Sequence, residues 1–156
     1  MRIAAVLVFA CLAAGLAASL PAAAQTKPSV EELFHEFGLF GTWALNCQGP
    51  AAPQNPRVII SMPTAGLVLE DHNLGSDYAV NRYSVLTAQR VATERLAVVV
   101  LFQPGTADEE RQTLEFLVHG GTRRTMFNQA DGGPVRVKAG IAVARGARTP
   151  LLRKCE

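Results

Sequence analysis

The chain of 156 residues is 49% hydrophobic and 18% charged, and its formal net charge is +2. This length corresponds to one domain with a buried core. The near-neutral charge and the lack of a Lys or Arg run exclude the electrostatic footprint of a nucleic-acid-binding protein, so we expect no nucleic-acid partner.

The N-terminal segment 1–24 is predicted to be a cleaved signal peptide. Arg2 supplies the positive start, an apolar run follows it, and the three alanines at 22–24 fit an A-x-A cleavage site. The alternative is a membrane anchor, because the run approaches the ~20 apolar residues that span a bilayer. We expect a periplasmic protein whose mature chain, 25–156, forms a single domain without a membrane span.

The first element of this domain is predicted to be a helix over about 29–37. Ser29 and Glu32 have the spacing of a capping box, and Gly38 is a natural helix stop. Four residues at helical spacing give the helix one apolar face, namely Val30, Leu33, Phe34 and Phe37.

From about 42 to 155 the sequence has the two-residue period of β-strands. About eight short segments, one of them over 134–144, are separated by turns rich in Gly, Pro and Asn. The Asp-Gly-Gly turn at 131–133 is a hairpin signal. We predict an all-β fold, a small antiparallel up-and-down β-barrel of about eight strands, with a sandwich as the alternative.

The predicted strand over 95–102 is apolar on both faces. Leu96, Val98, Val100 and Phe102 alternate with Ala97, Val99 and Leu101. A strand of this kind must be covered on both sides, so we predict that the helix lies across its outer face. The alternative is an exposed patch that serves dimerisation or docking.

Two cysteines remain once Cys11 is removed with the signal peptide, and they are predicted to form a disulfide. An even number of cysteines in an exported chain is typical of disulfide pairing. The bond between Cys47 and Cys155 would tie the first strand to the last. The alternative is a pair of free thiols or metal ligands, but the sequence has no CxxC motif or nearby His pair for zinc.

The chain offers little that predicts catalysis. Glu70, Asp71 and His72 stand together, but adjacent strand residues point to opposite faces, so at most two of the three converge. We interpret them as a polar strand end that leads into a turn. No nucleophile elbow or phosphate-binding loop follows a strand, and we expect no catalytic residue, metal or cofactor.

The charge is distributed unevenly along the mature chain. Residues 25–110 carry a net charge of −5 and residues 111–156 a net charge of +6. Side-chain alternation in the predicted hairpin would place Arg136, Lys138 and one of two neighbouring arginines on the same face. Such a face suits an anionic ligand. The candidate residues are Arg123, Arg124, Arg136 and Lys138. The alternative is that these charges pair with acidic residues of neighbouring strands.

The segment Gly41-Thr42-Trp43 resembles the opening motif of lipocalins, and avidin-like barrels begin with a similar Gly-x-Trp. In those families the Trp plugs one end of an eight-stranded up-and-down barrel, often against a basic residue late in the chain. The resemblance implies a barrel-end plug made by Gly41 and Trp43. The basic residues available for that contact are Arg145, Arg148 and Arg153.

Three further stretches, GTWALNCQGPAAPQNP, RRTMFNQADGGPVRVKAGI and TPLLRKC, resemble small uncharacterised exported proteins of alphaproteobacteria. That resemblance implies the periplasm, a single domain and the pairing of Cys47 with Cys155, and it implies no activity.

These observations predict a non-enzymatic exported binding module for a small hydrophobic or anionic ligand, or for an envelope component. The alternative is a protein–protein interaction or inhibitor module of the cell envelope. An envelope protein or a second copy of the chain would then be the partner.

Overall fold

The computed structural model describes residues 27–155, so the predicted signal peptide lies outside the described residues. No helix in this part of the chain is long and apolar enough to cross a bilayer. The elements are α1 (Val30–Glu36), β1 (Gly41–Ala44), β2 (Arg57–Thr64), β3 (Leu67–Asn73), β4 (Asn81–Ala92), β5 (Arg95–Phe102), β6 (Glu110–His119), β7 (Thr122–Ala130), β8 (Val135–Lys138), β9 (Ile141–Ala142), β10 (Ala147–Arg148) and β11 (Leu152–Cys155).

Eight of these strands form a closed antiparallel barrel. Strands β1 to β7 pair in chain order, and β11 lies between β7 and β1. The closing register places Leu152 opposite Arg123 and Cys155 opposite Thr42. Closure of this kind leaves no unpaired edge among the barrel strands. The predicted up-and-down barrel is confirmed.

A short extension leaves the barrel at β7. The first residues of β7 pair with β11, and Phe127–Gln129 pair with β8, which continues into β9 and β10. The single strand predicted over 134–144 is therefore wrong. Ala139 and Gly140 form a tight turn with φ of +50° and +74°, which reverses the chain between β8 and β9.

The barrel interior holds the hydrophobic core. On β5, Leu96, Val98 and Val100 are buried and alternate with half-buried outer residues. Further buried residues of the same cluster are Trp43, Val58, Ile60, Val68, Val85, Ala88, Leu114, Phe116 and Leu152.

Helix α1 begins with the predicted capping box between Ser29 and Glu32. It packs against β4, and its Leu33 and Phe34 join the interior cluster. The prediction that the helix covers the outer face of β5 is wrong. A single turn at Phe37 and Gly38 joins the helix to the segment before β1. Leu33, Phe34 and Leu39 are fully buried in this position, and burial of apolar side chains stabilises the packing of the helix on the barrel.

The end of the helix marks one end of the barrel. Phe37 shares a cleft with Thr93 of the β4–β5 turn and Gly120 of the β6–β7 turn. The Arg90 guanidinium lies 4.7 Å from the Phe37 ring centroid and forms an ion pair with Glu36. These contacts fix the helix at this end of the barrel.

The predicted disulfide is confirmed. Cys47 and Cys155 are bonded, with Cα atoms 5.4 Å apart. Cys47 lies three residues beyond the end of β1 rather than within that strand, and Cys155 ends β11. The bond therefore ties the chain that leaves the first barrel strand to the last one.

Candidate functional site

Trp43 is buried at the helix end of the barrel. Its indole Nε1 donates a 2.7 Å hydrogen bond to the carbonyl of Leu39, which satisfies the only polar atom of the ring. The cations near the ring are Lys154, with Nζ 5.8 Å from the ring centroid, and Arg123, at 5.9 Å. The late basic residue beside Trp43 is thus Lys154, and not one of Arg145, Arg148 and Arg153.

Gly41 precedes this tryptophan with a φ of +115°. L-residues rarely adopt this backbone conformation, so glycine is required for the chain to turn from the helix into β1. A Cβ atom here would lie 3.6 Å from Cε of Lys154, which shows that the constraint is conformational rather than steric.

A buried ion pair crosses the barrel interior. Arg123 of β7 donates two hydrogen bonds to Glu70 of β3, of 3.1 Å from Nη1 to Oε2 and 2.7 Å from Nη2 to Oε1. The residues are only 2% and 4% exposed. The Arg123 guanidinium also lies 4.4 Å from the Phe116 ring centroid. Strands β3 and β7 are not neighbours, so the pair connects separated parts of the barrel wall.

His72 extends the pair toward the opposite end of the barrel. Its Nε2 lies 2.6 Å from Oε1 of Glu70, and its ring packs at a tilt of 47° against that of Tyr83, with the ring centroids 4.9 Å apart. Burial raises the pKa of the Glu70 carboxyl, but the charge of Arg123 and the hydrogen bond with His72 outweigh burial and lower that pKa to about 2. Burial, reinforced by the charge of Glu70, raises the pKa of Tyr83 to about 12.

Asp71 stands between Glu70 and His72 but points to the outer face, where it forms a bidentate pair with Arg82. The three adjacent residues therefore do not converge. Among residues 27–155, no three His, Cys, Asp or Glu side chains lie close enough together to hold a metal ion.

A second polar network lines the end of the barrel opposite the helix. Arg136 forms a bidentate pair with Glu110, at 2.6 and 2.7 Å, and Glu110 accepts from Gln112. Asn128 donates to Gln112, while its own buried Oδ1 has no hydrogen-bond partner. Neither network was predicted from the sequence, because each joins residues far apart in the chain.

The four basic residues predicted to form an anionic-ligand face take three different positions. Arg123 points inward to Glu70. Arg124 lies on the opposite face of β7, where it is half-buried and its buried Nε has no hydrogen-bond partner among residues 27–155. On β8, Arg136 is an extra residue between the pairs Asn128–Val137 and Gln129–Val135, and its side chain reaches Glu110. Lys138 is exposed. Arg123 and Arg136 are thus paired with carboxylates, as the alternative to an anionic-ligand face predicted, whereas Arg124 and Lys138 are not.

The Lys and Arg side chains from residue 57 onward fall into two groups, those with a partner among residues 27–155 and those without one. Between residues 57 and 155, eight Lys and Arg side chains form an ion pair with a carboxylate or donate a hydrogen bond to a backbone carbonyl. The other five make no salt bridge or side-chain hydrogen bond within residues 27–155. We call them the basic surface; they are Arg124, Lys138, Arg145, Arg148 and Arg153.

Strand register brings members of the basic surface together. Lys138 and Arg148 both lie opposite Ile141, so they share a face and are separated by one strand, a distance of ~10 Å. Arg124 approaches the same corner, since its Cδ lies 3.5 Å from the Cβ position of Gly140 in the β8–β9 turn.

Hydrogen bonds fix this corner against the barrel. Thr149, next to Arg148, donates from Oγ1 to the carbonyl of Thr125, next to Arg124, at 2.7 Å. The amide of Thr149 donates to the carbonyl of Gly140 at 2.9 Å. The cations are therefore carried on a fixed backbone although their own side chains lack partners.

No protein-family model, no curated protein sequence and no solved structure matches this chain. Its function is accordingly inferred from the arrangement of its own side chains.

Proposed function

We propose that the protein is an exported, non-enzymatic binding module that holds an anionic partner on its basic surface. The observation that carries the proposal is a set of five cations that have no partner among residues 27–155, whereas the eight other cations from Arg57 onward are all paired or hydrogen-bonded. Cations gathered on one face create a positive potential that attracts and orients anionic ligands.

The lack of internal partners has a sequence basis. Residues 132–155 contain no Asp or Glu, and they include four of the five cations of the basic surface. Their positive field is therefore not neutralised by carboxylates of the same segment. This supports a partner that brings its own negative charges.

The disulfide supports the exported part of the proposal. Disulfides persist in oxidising compartments and are rare in the cytosol. Together with the predicted signal peptide at 1–24, the Cys47–Cys155 bond favours the periplasm as the place of action.

The barrel interior gives less support to a small hydrophobic ligand. Such sites are mostly apolar cavities with a few polar groups. Here the Arg123–Glu70 pair crosses the interior. The cleft at the end opposite the helix is lined by Glu109, Glu110 and Arg136. The outer surface is the better candidate for binding.

The proposal is tested by binding of the mature chain to immobilised dextran sulfate, a polyanion without apolar groups. The triple variant Arg124→Gln, Lys138→Gln and Arg148→Gln should bind at least about tenfold more weakly, since each cation near an anionic surface contributes about 1 kcal/mol. The matched control removes the same total charge from three arginines that form ion pairs, by the substitutions Arg82→Gln, Arg95→Gln and Arg111→Gln. Equal losses in the two variants would contradict the proposal.

A protein–protein interaction or inhibitor module is the second candidate. The β3–β4 loop exposes Tyr78 and Val80, at 51% and 42%. Aromatic residues of this kind are common anchors of protein interfaces. This function predicts that Tyr78→Ser, and not the cation variants, abolishes crosslinking to a protein partner in living cells.

A further inference from the structure

The β9–β10 turn places an exposed apolar residue beside three members of the basic surface, Lys138, Arg145 and Arg148. Val143 is 57% exposed, the largest exposure among the large hydrophobic side chains of residues 27–155. Ala144 beside it is also exposed. The dextran sulfate site proposed above requires cations only, so it leaves this exposed apolar tip unexplained.

The turn is held by hydrogen bonds. The amides of Arg145 and Gly146 donate to the carbonyl of Ala142 at 3.1 and 2.9 Å, and the amide of Val143 donates to the carbonyl of Arg136 at 2.9 Å. Gly146 has a φ of +62°, which allows the tight reversal. Val143 therefore projects from a fixed hairpin.

Cations that have no partner in the described part of the chain flank the tip. Arg145 belongs to the turn itself, and Arg148 follows it on β10. Lys138 lies across Ile141 from Arg148. An apolar tip flanked by cations is complementary to a surface that offers negative charge at its face and hydrocarbon just beneath.

Building on the proposed function, we propose that the anionic partner is a lipid surface. Val143 and Ala144 enter the boundary between headgroups and acyl chains, while Lys138, Arg145 and Arg148 contact lipid phosphates. Interfacial binding strength grows with buried apolar area and with attraction to anionic lipids, and this hairpin supplies both terms. A soluble polyanion or an acidic protein would satisfy the cations alone.

The test is cosedimentation of the mature chain with two kinds of vesicle, one of phosphatidylglycerol and phosphatidylcholine in equal parts and one of phosphatidylcholine alone. The protein should bind the first and not the second. Val143→Ser should weaken vesicle binding by about fivefold to tenfold through the lost apolar burial. The same variant should bind dextran sulfate as wild type does.

The matched control is Val91→Ser, which changes an exposed valine on β4, outside the basic surface. It should leave vesicle binding unchanged. Val143→Trp should gain fluorescence that brominated lipids quench, whereas Trp43, which is 1% exposed, should stay unquenched.

The outcomes separate the two proposals. Binding to dextran sulfate without binding to phosphatidylglycerol vesicles would overturn the lipid inference and leave the proposed function standing. Vesicle binding that is insensitive to Val143→Ser, or a Val143→Trp signal that brominated lipids do not quench, would also overturn it. Dextran sulfate binding that survives loss of Arg124, Lys138 and Arg148 would overturn both.

Discussion

Arg123 and Glu70 meet inside the barrel through two hydrogen bonds, although they come from strands that are not neighbours and lie 53 positions apart. A buried pair of this kind gains Coulomb energy but loses the hydration of both charges. Its net contribution to stability is therefore small, whereas the loss of one partner is costly. The pair fixes how β3 faces β7 more than it adds to the free energy of unfolding.

We expect Arg123→Met to lower the free energy of unfolding by about 3–5 kcal/mol, because Glu70 is then buried without its partner. The double variant Glu70→Leu with Arg123→Met should restore most of that loss. Urea unfolding of the wild type, both single variants and the double variant measures the coupling. Losses that simply add in the double variant would show that the pair does not interact.

The same carboxyl group makes stability depend on acid pH. The pKa of folded Glu70 is about 2, below its ordinary value of 4.5. The unfolded chain therefore takes up a proton at higher pH than the folded chain. The stabilisation is complete above pH 4.5 and is lost as the pH falls toward 2, by about 3 kcal/mol in all.

Unfolding measured from pH 6 to pH 2, ~4 units that span both pKa values, checks this expectation. The comparison is the Glu70→Leu, Arg123→Met double variant, which lacks the buried carboxyl but keeps surface carboxylates such as Glu110, whose pKa is also lowered. The wild type should lose more stability than the double variant. If the free energy of unfolding fell equally with pH in the wild type and the double variant, Glu70 would not be the source of the acid dependence.

The disulfide gives a third prediction. Cys47 and Cys155 are 108 positions apart, and a bond that closes a loop of this size stabilises by ~4–5 kcal/mol in chain-entropy models. Cys155→Ser should lower the melting temperature, measured by thermal unfolding. Reductant should lower it for wild type and leave the variant unchanged, and a wild type indifferent to reductant would argue against a stabilising bond.

Local patterns were sufficient for several parts of the fold. The Ser29–Glu32 capping box marks the start of the helix because its two hydrogen bonds lie within four residues. The two-residue alternation of β5 indicates a strand without knowledge of its neighbours. Once Cys11 is assigned to the predicted signal peptide, two cysteines remain and only one pairing is open to them, so the Cys47–Cys155 bond could be predicted.

The candidate site depends on strand register, which the alternation of side chains along one strand does not reveal. Alternation separates Arg123 from Arg124 but leaves open which one points inward. The register of β6 and β7 decides this by placing Arg123 opposite Val118. An extra residue at Arg136 then sends that side chain to Glu110 while Lys138 stays exposed.

Neighbouring residues and composition are enough to predict the helix, the strand periodicity, the disulfide and the excess of positive charge in the C-terminal part. They do not predict where the helix packs, which charges pair across the barrel or which cations lack a partner among residues 27–155. Side-chain alternation is local, whereas barrel closure and register are set jointly by strands that are distant in the chain.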